Sequence, residues 1–200
     1  MGSCAADEAA VIRAASNGSE RLDDVTAGIF TGLQTNDDGV YVLEERGVRG
    51  GLQVVWSNAS RRLLELEPDL LHQFASGQDV ERHAFRPLSD LVLFPYVSEG
   101  NDVRLISEAE LDSLPRTKDY LAEHETRLRA RERGRMDRAE WYAYVYPKSL
   151  RLQDLPKLGV AATVRRLEVA ADPDGAVYFH NVRVNGIRAR WAGVPNTLFV

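Results

Sequence analysis

The feature that most constrains this chain is its punctuation. Apolar runs of four to eight residues are repeatedly cut by clusters of Gly, Asx, Ser and Pro. Runs of that length suit strands, and none approaches the roughly 20 apolar residues that a membrane-spanning helix needs. Val40-Tyr41-Val42-Leu43 follows a loop dense in Gly, Thr and Asx from Gly28 to Gly39, and Leu52 to Trp56 is a second β-like run. Leu91 to Val97 is an apolar strand whose Pro95 puts it at an edge or a strand end. Trp141 to Tyr146 and Lys157 to Val164 follow, and Ala171-Asp172-Pro173-Asp174-Gly175 reads as a hairpin turn into Val177-Tyr178-Phe179.

One stretch breaks the rhythm. Ser107 and Glu110 form a capping box, Pro115 suits a first helical turn, and Gly134 is a natural stop. Tyr120, Leu121, His124 and Leu128 mark one inner face at helical spacing, so the pattern predicts one long helix. Arg127, Arg129, Arg131, Arg133 and Arg135 recur every second residue, and at about 100° per residue they fan around that helix. Many short mixed or antiparallel strands plus one long helix predict an α+β fold. The Ala-rich segment Cys4–Ala15, stopped by Ser16-Asn17-Gly18-Ser19, reads as a short helix, giving an arm over 1–27, a main domain over 28–185 and a tail over 186–200.

With 200 residues, 44% of them hydrophobic, the chain can bury a real core. One cysteine excludes an internal disulfide framework and a cysteine-rich zinc site, and suits a reducing cytoplasm. The start has no basic-then-apolar signal pattern, so a soluble, cytoplasmic protein is expected. The net charge of −5 hides an asymmetry. Met1–Leu114 holds 9 Arg and no Lys against 20 acids, a net of −11, whereas Pro115–Val200 holds 16 Lys and Arg against 10 acids, a net of +6. A basic half can attract phosphates within an acidic chain, but the same arginines can equally be solvated and balanced by local acids.

No residue pattern points to catalysis. The Gly28–Gly39 loop lacks the spacing of a phosphate loop, and the Asn-Pro-Pro-aromatic element that holds a flipped adenine is missing. His72, His83, His124 and His180 have no ligand spacing, Asp172 and Asp174 suit a turn better than a calcium loop, and Asp79 and Glu81 suit a cap better than a nuclease. The aromatic series Trp141, Tyr142, Tyr144 and Tyr146 places its last three members on one strand face, for core packing or, less commonly, for stacking on bases.

Four segments, in order, resemble the TaqI-like C-terminal specificity domain of type II restriction-modification enzymes and adenine-specific DNA methyltransferases. Gly32-Leu33-Gln34-Thr35-Asn36-Asp37-Asp38-Gly39 before Val40-Tyr41-Val42-Leu43 is similar to that family's Gly-x-x-Thr-x-x-Asp loop and strand. Gly77-Gln78-Asp79-Val80-Glu81-Arg82 resembles its Gly-Lys-Asp-Ile-x-Arg element, and Leu93-Phe94-Pro95-Tyr96 its Ile-x-Pro-Tyr strand. Leu114-Pro115, Tyr120-Leu121, Leu128 and Arg131 follow its helix pattern, with Trp141-Tyr142 behind it. Lys157-Leu158 and Asp172-Pro173-Asp174-Gly175-Ala176-Val177-Tyr178 resemble its Lys-Ile strand and Asp-x-x-Gly-x-x-Tyr hairpin. The resemblance covers about residues 28–181 and departs at Gln78, where a Lys is common.

The resemblance implies a module that clamps double-stranded DNA and reads its bases. A catalytic methyltransferase domain or subunit, absent from this chain, would bind S-adenosylmethionine and methylate adenine N6. The basic half then supplies phosphate contacts, expected from Lys118, Arg127, Arg129, Arg131, Arg133, Arg135, Arg165 and Arg166. Base reading is expected from Gln34, Thr35, Asn36, Gln78 and Arg82, while Gly28, Gly32 and Gly77 allow close backbone approach or positive φ. Arg82 and Arg131 could equally be buried against carboxylates such as Asp79. A protein-interaction subunit or a degenerate remnant without DNA binding is the alternative, its partner surface being the aromatic series and the acidic half.

Overall fold

The short runs do become strands, and most of them pair with a neighbour running the opposite way. A computed structural model describes residues 26–100, 102–163, 168–181 and 183–189. Among these, one antiparallel sheet of four strands has the order β1 (Thr26–Thr31), β12 (Val184–Ala189), β9 (Lys157–Ala161), β10 (Val169–Asp172). A six-stranded sheet has the order β11 (Val177–Phe179), β5 (Leu71–Ala75), β6 (Asp90–Leu93), β2 (Val42–Arg49), β3 (Leu52–Ser57), β4 (Arg62–Leu66). Only its β11–β5 pair is parallel. β7 (Tyr96–Glu99) and β8 (Asp102–Leu105) form a ribbon. The mixed α and β character with short, largely antiparallel strands is as expected. β12 runs across residue 185, which pairs with Thr31 of β1, and residues 1–25 of the expected arm lie outside the described residues.

The long helix does not form. Its sequence is divided into α2 (Glu108–Leu111), α3 (Pro115–Glu123), α4 (Glu125–Arg129) and a turn at Arg131–Gly134, preceded in the chain by the single turn α1 (Asp38–Tyr41). The Ser107–Glu110 capping box and Pro115 at the start of α3 are both present. The break falls at His124 (φ −104, ψ 8), whose Nε2 lies 2.9 Å from the Ser60 hydroxyl and whose ring packs edge-on to Tyr120. A second break follows at Glu132 and Arg133, both left-handed. Tyr120, Leu121, His124 and Leu128 are nonetheless all buried. The periodic pattern recorded a common inner face, which a segmented helix preserves as well as a straight one.

Three further readings change. Trp141–Tyr146 is irregular, not a strand: Tyr142, Ala143, Tyr144 and Val145 are all buried, so there is no alternation of faces. Side chains take over the backbone pairing that a ladder would supply, with Tyr41 donating to the Tyr142 carbonyl (2.8 Å) and the Tyr144 amide donating to the Tyr96 hydroxyl (2.7 Å). The edge strand β4 arises from Arg62-Leu63-Leu64-Glu65-Leu66, a segment whose polar content hid it. The Asp172–Gly175 turn is not a hairpin: β10 and β11 belong to different sheets, and the turn passes the chain between them.

Asp172 makes that crossing possible. Its carboxylate accepts from the Ala176 and Val177 amides and pairs with the Lys157 ammonium at 2.5 Å, both side chains being almost fully buried. Lys157 also donates to the Gln153 carbonyl and lies over the Phe179 ring. Burial pushes the Lys157 ammonium below its ordinary value, against the opposing pull of Asp172. Substituting Asp172→Ala leaves that cation buried and unpaired, so urea denaturation should show a loss of about 3–5 kcal/mol. A loss under about 1 kcal/mol would mean that the turn is held by something else.

Candidate nucleic-acid interface

The loop between β1 and α1 gathers distant segments of the chain around itself. Leu33 donates its amide to the Phe179 carbonyl (2.6 Å) and accepts from Asn181 (2.9 Å), tying the loop to the end of β11. A Cβ on Gly32 would stand 2.1 Å from the Phe179 carbonyl oxygen, so only glycine allows this approach. Gln34 bridges Tyr146 in antiparallel fashion. The Gly77–Asp79 turn reaches the same end of the sheet, since Gly77 lies against the Arg183 carbonyl and Ala75 accepts from the His180 amide.

Between these pieces lies a pocket of about 300 Å³, lined by Gln34, Thr35, Asn36, Asp37, Asp38 and His180 among others. The loop backbone turns through Asn36 at φ 58, a left-handed conformation that Asn tolerates better than most side chains. The Asn36 amide oxygen is the one buried side-chain polar atom without a hydrogen-bond partner among the described residues. Asp37 caps α1 at Val40 and takes the Arg127 guanidinium in two bonds of 2.6 Å. Asp38 accepts from the Thr35 hydroxyl (2.5 Å) and pairs with His180 Nε2 (2.8 Å). The His180 hydrogen bond chiefly holds the Asp38 carboxyl below its ordinary value, against desolvation.

The expected cations are largely spoken for. Arg131 is buried, with 8% of its surface exposed, but no carboxylate among the described residues pairs with it. Its guanidinium donates to the carbonyls of Leu128, Thr35, Trp141 and Ala143 and lies over the Tyr41 ring, so it is a structural cation and not a phosphate contact. Arg129 pairs with Glu125 and Asp137 and covers Trp141. Lys118 pairs with Asp112, and Arg127 with Asp37. Arg82 is exposed and donates to His83 Nε2, away from Asp79, which instead caps the Ser76 amide. Arg165 and Arg166 lie outside the described residues.

Of the expected base readers, Thr35 is buried with its hydroxyl committed to Asp38, so it shapes the loop and does not present to a ligand. Gln34 and Asn36 line the pocket; Gln78 is exposed on the Gly77–Asp79 turn and does not line it. Arg133 is exposed and has no side-chain hydrogen bond among the described residues. Arg135 lies over the Tyr146 ring at 5.5 Å, next to Gln34. The sequence reading missed His180, Asn181 and Arg183. His180 was dismissed for lacking ligand spacing, and its partner Asp38 is 142 residues away, a pairing that no local pattern encodes.

No protein-family profile matches the chain, and no curated protein matches its sequence. None of the described helices is long and apolar enough to cross a membrane.

The two kinds of arginine should separate in a stability assay. Arg131→Met strands four carbonyls in the core and should cost more than about 2 kcal/mol in urea denaturation. Arg133→Gln, on the surface, should stay within about 0.5 kcal/mol of the parent. Equal losses for the two would contradict the assignment of Arg131 to the frame.

Proposed function

We propose that this chain is a sequence-specific, double-stranded DNA-binding module, the target-recognition part of an adenine-N6 methyltransferase or restriction-modification enzyme. The observation that carries the reading is convergence. Three of the segments that resemble the TaqI-like specificity domain come to one loop: the first carries Leu33–Asp38, the third donates from Arg131 to the Thr35 carbonyl, and the fourth runs directly into Phe179 and Asn181, which bond to Leu33. A loop that is held from several sides and lines the pocket with Gln34 and Asn36 suits base reading, because Gln and Asn offer a donor and an acceptor on one rigid plane.

The rim chemistry divides the work. Asp37 and Asp38 make the pocket itself a poor phosphate site. Among the described residues, the unpaired cations on segments in contact with the loop are Arg133, two residues beyond the Arg131 that donates to the Thr35 carbonyl, Arg135 through Tyr146, Lys148 two residues beyond Tyr146, and Arg183 after His180. These replace Lys118, Arg127, Arg129 and Arg131 as the proposed phosphate contacts. The methyl-transfer chemistry and its S-adenosylmethionine are assigned to a separate catalytic domain or subunit. The protein-interaction alternative loses much of its proposed surface, since Tyr142 and Tyr144 lie in the core.

The test is selection from a randomised duplex pool by the purified chain, followed by polarisation measurements across salt. Arg133→Gln and Arg135→Gln should weaken binding to every duplex alike and each flatten the salt slope by about 1. Gln34→Ala and Asn36→Ala should change which sequences are retained. Failure to retain any duplex at about 50 mM salt, or unchanged selected sequences in both loop variants, would sink the proposal.

A further inference from the structure

We infer that His180, in its doubly protonated form, is the positioning residue that latches the recognition loop to the end of β11, so that base reading by this loop depends on pH. The inference rests on the DNA-binding reading of the site, and it begins with hydrogen-bond arithmetic. A neutral imidazole has one N–H donor and one acceptor nitrogen, whereas the imidazolium has two donors. His180 presents Nε2 to the Asp38 carboxylate at 2.8 Å and Nδ1 to the Asn181 carbonyl at 2.6 Å. Both facing atoms are oxygens that only accept. The neutral ring can satisfy one of them and must set a lone pair against the other, while the cation satisfies both.

The surroundings agree with that assignment. Burial by itself would lower the basicity of the ring, but the Asp38 hydrogen bond and charge and the Asn181 carbonyl outweigh it and hold His180 above the ordinary histidine value. The charged groups that face the ring are Asp38 from α1 and Arg183 from its own segment, the latter opposing the charge. Phe74 of β5 packs against the ring with centroids 5.5 Å apart and carries no charge.

The latch acts on the reading residues through a short chain. Asp38 Oδ2 is held by His180 and its Oδ1 by the Thr35 hydroxyl, and Asn36 lies between Thr35 and the Asp37 cap. With the cation in place, both ends of the Gln34–Asp38 segment are fixed to β11: Leu33 by backbone bonds, Asp38 by the imidazolium. Deprotonation removes one donor and the ion pair, leaving Leu33 as the remaining anchor on that side. The sign follows. A histidine whose basicity is raised in the folded state contributes its order below its ordinary value, and loses it as pH rises through the raised one. Target-site affinity should therefore fall towards alkaline pH, by at most about tenfold per unit, the limit for one coupled proton.

The experiment has two arms on the full chain. In the first, proton-detected NMR follows the His180 ring and the Gln34–Asp38 amides in the free protein from pH 5.5 to 8.5. The ring should titrate above the ordinary histidine value, near 6.5, and the loop amides should move with the same midpoint. In the second, the dissociation constant for the selected duplex is measured over the same range for the parent, His180→Gln and Asp38→Asn. Both variants should lose the pH step that the parent shows, and His180→Gln should still discriminate sites, since a glutamine amide can donate to Asp38 at any pH. A ring that titrates at or below the ordinary value, or a pH step retained in His180→Gln, would overturn the inference. If no duplex binds at any pH the functional reading fails, but the first arm still decides whether the latch exists.

Discussion

The structure depends on one buried cation that meets no anion. Arg131 follows the end of α4, and four of its five N–H donors reach the carbonyls of Leu128, Thr35, Trp141 and Ala143. A guanidinium can do this because its donors spread in a plane and its charge is delocalised, so several partial charges substitute for a carboxylate. The arrangement binds three pieces of chain that are distant in fold or sequence: the last turn of α4, the loop between β1 and α1, and the irregular segment through Tyr144. None of the three could keep its backbone paired alone, since neither the loop nor the 141–146 segment belongs to a ladder. The left-handed Glu132 and Arg133 follow directly, because the chain must turn sharply once Arg131 has been drawn inward.

That arrangement also explains where the charge went. The chain's acidic and basic halves do not present separate faces. Arg127 closes on Asp37, Arg62 on Glu123, Arg116 on Glu65, and His180 on Asp38, each joining one half to the other. Exposed pairs of this kind are worth little individually. Their consequence here is for the surface field, since a paired arginine attracts phosphate less than a free one. The basic excess of the second half therefore overstates the cations open to a polyanion, and those that lie beside the loop are few. A module built this way draws less affinity from sequence-independent attraction and leaves a larger share of discrimination to the loop.

What could be read from the sequence was what depends on neighbours in sequence. The capping box at Ser107–Glu110, Pro115, the buried face of Tyr120 to Leu128 and the strand β3 rest on local spacing, and they stand. The misses share a different cause. The unbroken helix failed because Ser60 holds His124 and the carbonyls of Thr35, Trp141 and Ala143 hold Arg131; the hairpin failed because Asp172 is claimed by Lys157 from another strand. The aromatic series looked like a strand because its alternation suited one, but tyrosine hydroxyls and Arg131 had taken over its backbone bonds. In the candidate site, Gln34 and Asn36 were identifiable from their residue types beside Gly and Thr. His180 was not, because its meaning comes from Asp38 at the other end of the chain.

The contrast between frame and loop bears on how such a surface could vary its specificity. Much of what fixes the loop's path uses backbone atoms or buried side chains: Leu33 through its amide and carbonyl, Thr35 through its carbonyl and hydroxyl, Asp37 through its cap. Gln34 and Asn36 contribute little to that path beyond tolerating it, Asn36 by accepting a positive φ. The unpartnered amide oxygen of Asn36 carries a desolvation cost on the order of 1–3 kcal/mol in the free chain. That cost falls on a side chain that lines the pocket and that the fold uses only for its tolerance of a positive φ. On the proposed DNA-reading function, exchanging such residues would alter which edge groups the pocket can satisfy while the carbonyl-bound arginine and the inferred histidine latch keep the scaffold unchanged, which is the separation that a reader of different sequences requires.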